Sequence, residues 1–142
     1  MTASTLPATG AGRTRALRAP FAAAGAALAA TTYVGLVDPN QSGHYPGCPF
    51  LAVTGYYCPG CGSLRAVHAL THGDVRAAVG FNVLTVVAAV ALAGLWGQWV
   101  LRRWRGQPRT AVAPAWTLYL AFGVVVVFWI VRNLTVGEAL AP

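Results

Sequence analysis

From Ala113 to Val131 the chain carries no charged residue, and Val124 to Ile130 is an unbroken run of large apolar side chains. At about 1.5 Å per residue a helix of this length crosses the hydrocarbon core of a bilayer. It has no polar face, which excludes an amphipathic surface helix. A second stretch, 82–101, repeats the pattern through Val86, Val87, Val90, Leu92 and Leu95. Trp96, Trp99 and Trp104 gather at its end, and Trp116 and Tyr119 open the next segment, where headgroup-level rings are expected. The first stretch, 19–37, is built mainly from Ala and Gly. Arg13, Arg15 and Arg18 precede it as in a signal peptide, and Ala27-Leu28-Ala29 resembles a cleavage site. Because its apolar character strengthens toward Val37, an uncleaved helix is the favoured reading.

Composition agrees with this placement. The chain has 142 residues, 56% of them apolar and only 9% charged. A soluble domain carries about 25% charged residues. The net charge is +7, and every basic residue is arginine. A charge of that sign raises nucleic acid as a partner, but the arginines are sorted by segment instead. Arg13, Arg15 and Arg18 precede the first helix, and Arg102, Arg103, Arg105 and Arg109 lie in the loop 102–112. By the positive-inside rule these regions are cytoplasmic. The loop 38–81 and the tail 132–142 then lie outside, where Arg65, Arg76 and Arg132 balance Asp38, Asp74 and Glu138. Nucleic acid drops out as a partner, and residues 1–18 read as a basic, disordered tail.

The loop 38–81 holds all three cysteines and all three histidines. Cys58-Pro59-Gly60-Cys61-Gly62 is a turn whose glycines permit positive φ and whose two sulfurs can meet at one point. Such a knuckle suits a metal held by thiolates at about 2.3 Å. An amphipathic helix follows, with Ser63 as its expected cap and Leu64, Val67 and Leu70 at helical spacing. His68 and His72 share another face at i and i+4. Gly73 suits the end of that helix, Asp74 the cap of a second short helix through Val79, and Asn82 the cap of the membrane helix.

Cys48-Pro49, the Cys58–Gly62 run, Arg65, His72-Gly73-Asp74 and Asn82 together resemble the bacterial family known as domain of unknown function 2752. Val83 stands where that family usually has Pro, and Ser63-Leu64 where it has an apolar residue and then Thr. The resemblance implies a small membrane protein and brings no activity with it.

Three readings of the cysteines follow. Cys48, Cys58 and Cys61, with His72 or its substitute His68, make a four-ligand set for Zn or Fe. Outside the cytoplasm the same thiols tend to oxidise, which admits a structural or redox disulfide using Cys58 and Cys61. Inert buried cysteines are the third. No outward acid or amide orients a histidine as a base for a cysteine nucleophile, and no polar ladder lines the spans as a channel requires. Arg132 and Glu138 are expected at headgroups and water, and Gly25, Gly94 and Gly123 offer places for close helix contact. The sequence therefore predicts an all-α, multi-pass protein of a bacterial inner membrane. It has two or three spanning helices and short interfacial helices in an outward Cys/His loop. The expected role is structural or interaction, with the bilayer and an unidentified membrane protein as partners; a thiol–disulfide oxidoreductase is the alternative.

Overall fold

The computed structural model describes residues 10–41, 43–107, 114–135 and 137, and among these there is no strand. Five helices follow in order: α1 (Gly10–Leu36), α2 (Pro49–Thr54), α3 (Ser63–Thr71), α4 (Val75–Trp104) and α5 (Ala115–Arg132). Thr14–Leu36, Val75–Trp104 and Ala115–Arg132 are long and apolar enough to cross a membrane. Large apolar side chains along them face outward, Phe122 at 69% and Leu92 at 65% exposure. In water such a surface is unfavourable, and in lipid it is the expected one.

Helix limits differ from the sequence reading at both ends of the first segment's flank. The chain is already helical at Gly10, so Arg13, Arg15 and Arg18 lie within α1 rather than in a tail ending at residue 18. Residues 1–9, Arg109 and Glu138 fall outside the described residues. The second span begins seven residues earlier than 82, because the short helix after Asp74 runs directly into it. Asn82 marks the junction with extended backbone, φ −166° and ψ 97°. Two of the three predicted N-caps, Asp74 and Asn82, are present. The Ala77 amide donates to Asp74 Oδ1 at 2.8 Å, and the Thr85 amide donates to Asn82 Oδ1 at 3.0 Å.

The small core lies where α3 packs on the first turns of α4. Ala66, Ala69 and Ala78 are buried there, with Leu70, Ala77, Phe81 and Val86 around them. Alanine at these positions lets the two backbones approach without losing apolar cover. α1 packs against both α3 and α4. Phe21 meets Trp96 edge-on at 6.3 Å, and Trp96 Nε1 donates to the Pro20 carbonyl at 2.9 Å. Trp96 is thus a tie between helices and not merely an interfacial anchor.

The close approach of α1 and α3 falls at Gly35. A Cβ there would stand 3.0 Å from Thr71 Oγ1 and 3.3 Å from Thr71 Cβ, whereas Gly25, Gly94 and Gly123 have nothing within 4 Å. The three glycines singled out in the sequence are therefore open, and the constrained one is Gly35. Gly35→Val should lower stability by about 1–3 kcal/mol through overpacking, read as the unfolding midpoint in detergent. Gly25→Ala is the matched control and should be neutral or slightly stabilising.

Candidate metal centre

The site is assembled from the start of α2, the turn before α3, the kink of α4 and the last turn of α5. Cys48 precedes α2, with Pro49 in the first helical turn. Cys58 to Cys61 form a tight turn closed by Cys61 N–H donating to Cys58 O at 3.1 Å, followed by Ser63 N–H to Gly60 O at 3.0 Å. Gly62 carries the chain into α3 at φ +82°, a conformation that a side chain would strain. That residue, not Ser63, occupies the cap position of α3. The Ser63 hydroxyl instead accepts from Thr85 Oγ1 at 2.8 Å, which ties the turn to α4.

Three thiols result, all free, with sulfurs within 4.8 Å of one another. Cys58 Sγ stands 3.1 Å from Cys61 Sγ and 3.5 Å from Cys48 Sγ. A tetrahedral ion bonded to sulfur at about 2.3 Å sets neighbouring sulfurs about 3.8 Å apart. The two separations are about 0.7 and 0.3 Å shorter than that, so the sulfurs would spread slightly around an ion. The Cys58 amide also points at Cys61 Sγ, 3.3 Å away.

The two outer thiols differ electrostatically. Backbone N–H groups at the start of α2, Leu51 before Phe50, together with the neighbouring thiols, bring the Cys48 pKa down to about 7 despite partial desolvation. None of those amides reaches a full capping hydrogen bond. Burial pushes the Cys61 thiol up to about 12, and the adjacent Cys58 and Cys48 sulfurs add to the rise. A cation placed among the three would oppose that rise and favour all three thiolates.

The carbonyls of the turn are held by buried donors. Asn82, 1% exposed, donates through Nδ2 to the carbonyls of Pro59 and Cys61, both at 3.0 Å. Arg132, also 1% exposed, donates through Nη1 to the carbonyls of Cys58 at 3.1 Å and Cys61 at 3.2 Å. Asn133 brackets Tyr57, accepting its amide at 2.8 Å and donating to its carbonyl at 2.9 Å. Trp129 packs edge-on against Phe50 at 5.9 Å. Arg132 was expected at headgroups and water. It is instead buried, because three turn carbonyls that no helix satisfies converge on it.

His68 and His72 form a separate group. His68 Nδ1 lies 2.8 Å from the Val34 carbonyl at the end of α1, and its Nε2 is 3.7 Å from Asp38 Oδ1. The His72 ring lies against that of His68, centroids 4.4 Å apart and tilted by 39°, and places its Nδ1 2.9 Å from the His68 carbonyl. The Asp38 carboxyl is held below its usual range, first by the Asn40 amide and then by the Asn40 side chain. His68 thus closes the α1–α3 contact with His72 lying against it, and the structure does not bring either ring into the thiol cluster. Arg65 is exposed on α3, and His44 is exposed in the preceding loop.

Sequence reasoning missed Arg132, Asn133 and Asn82's reach into the turn. One signal for the first was available: an arginine on the side that the sequence reads as outward runs against the expected charge bias and needs a local reason. No curated protein and no solved structure matches the chain. Over residues 48–96, from the first cysteine to the tryptophan that ties α4 to α1, it matches the family described as protein of unknown function (DUF2752), the one its motifs resemble.

Proposed function

We propose that this is a membrane protein with a structural or interaction role, whose loop is braced by a divalent metal, Zn or Fe, on Cys48, Cys58 and Cys61. The observation that carries the reading is the convergence of three free thiols from separate parts of the loop within 4.8 Å. Two of them flank a turn whose carbonyls are held by Asn82 and Arg132. Three protein ligands leave the fourth position of a tetrahedral ion to water or another exogenous donor, since His68 is engaged at Val34 and Asp38 and His72 at the His68 carbonyl. The bound ion supplies a rigid link between α2 and the α3–α4 unit. The loop would face outward from a bacterial inner membrane, with the arginine-rich side in the cytoplasm. The ties of α1 to Trp96 and His68 favour a retained first helix.

The 3.1 Å separation of Cys58 and Cys61 sulfurs supports a second reading, a thiol–disulfide oxidoreductase using that pair. Burial pushes the Cys61 thiol up, which weighs against Cys61 as the attacking sulfur of such a pair. One labelling experiment separates the two. Intact cells are treated with a membrane-impermeant maleimide, with and without chelator and with and without reductant. The metal reading expects labelling to appear on chelation. Labelling that appears only on reduction establishes the disulfide, and labelling that awaits lysis inverts the orientation.

A further inference from the structure

Among the described residues Arg132 has no formal counter-charge. It is 1% exposed, and its Nε and Nη2 have no hydrogen-bond partner. Its guanidinium lies 5.1 Å from the Phe128 ring centroid and 5.8 Å from that of Tyr57. No ion pair joins it to a carboxylate among the described residues. Three carbonyls and two aromatic faces offer only partial charges, and a buried cation without a formal counter-charge costs several kcal/mol. The residues whose carbonyls Arg132 holds, Cys58 and Cys61, are also those that carry the sulfurs.

We infer that Arg132 is the counter-ion of the three-thiolate centre, and that it matches the centre to divalent ions. The inference rests on the metal reading above. A divalent ion with three thiolates and a neutral fourth ligand leaves one negative charge, which one guanidinium cancels. A monovalent ion leaves two negative charges, and a trivalent centre leaves none. Arg132 acts through the cysteines and not on the ion, so it is a positioning residue.

Two thiol-seeking probes of different charge test this on the full chain in detergent micelles. Cd²⁺ forms the negative centre and is followed by its thiolate charge-transfer absorbance. Arsenous acid exchanges its three hydroxyls for three sulfurs, the thiol protons leaving with them as three waters. No oxidation state changes, and the centre formed is neutral. Arg132→Gln keeps a donor for the turn carbonyls but removes the charge. It should weaken Cd²⁺ binding by about 10–100-fold, the cost typical of an outer-sphere partner, and leave arsenite binding unchanged. Arg132→Lys, which keeps the charge, should recover most of the Cd²⁺ affinity.

Equal loss of both probes in Arg132→Gln, or no loss of either, overturns the counter-ion. So does an Arg132→Lys protein that holds arsenite but not Cd²⁺, which also decides the matter if Arg132→Gln does not fold. A wild-type chain that takes up no Cd²⁺ refutes the metal reading itself, and the counter-ion falls with it before any substitution is made.

Discussion

Cys58→Ser should abolish the metal centre and, with it, the response of the protein to chelator. Cys58 Sγ stands 3.1 Å from that of Cys61 and 3.5 Å from that of Cys48. A serine hydroxyl stays protonated at neutral pH and is a poor ligand for a thiolate-selecting ion. The expected loss of affinity exceeds the ~10–100-fold typical of an outer-sphere change. The linked effect on stability is calculable, because an ion that binds only the folded chain stabilises it by about 2.7 kcal/mol when present at 100 times its Kd. In wild-type protein, chelator should lower the unfolding midpoint by a corresponding amount. In Cys58→Ser the midpoint should start low and not move. A wild-type midpoint that falls with reductant and ignores chelator would assign the cluster to a disulfide.

The second large effect is expected at Asn82. Its Nδ2 holds the Pro59 and Cys61 carbonyls, while its Oδ1 caps the membrane helix at Thr85. Asn82→Ala removes both functions at a site 1% exposed. Loss of a cap costs about 1 kcal/mol and each buried group left unsatisfied about 1–3 kcal/mol. Arg132 Nη1 also reaches the Cys61 carbonyl at 3.2 Å and the Pro59 carbonyl at 3.4 Å, so those two oxygens are not fully orphaned. The net expectation is about 2–4 kcal/mol, together with weaker metal binding, because the turn loses its fixed orientation to α4. Asn82→Ser, which can still cap through a hydroxyl but cannot reach as far, should recover the capping part alone. Equal midpoints for Asn82→Ala and wild type would show that the turn stands without α4.

The parts of this architecture that were legible in the sequence are those set by local rules. Charge-free stretches marked the spans because lipid tolerates nothing else. Asp74 and Asn82 announced themselves as caps, since their short side chains accept from the backbone a few residues on. The Cys58–Gly62 turn was legible because Gly62 is needed at φ +82°. The contacts that fasten the site were not legible, and the reason is separation along the chain. Arg132 bonds to Cys58 across more than seventy residues, and an arginine ending an apolar helix has a headgroup as its default partner. The histidines misled for the opposite reason. Their i, i+4 spacing is real, but spacing on one helix does not say which neighbour the face meets, and here it meets the end of α1. Gly35 was hidden in an Ala- and Gly-rich segment where only the position of Thr71 distinguishes it.

The most direct test of the account is the metal content of the full-length chain, purified in detergent without chelator or reductant and measured by elemental analysis beside a free-thiol count. The account predicts about one Zn or Fe per chain, with three thiols that react only after the ion is removed. Metal-free protein, or protein whose Cys58 and Cys61 are recovered as a disulfide, would contradict it.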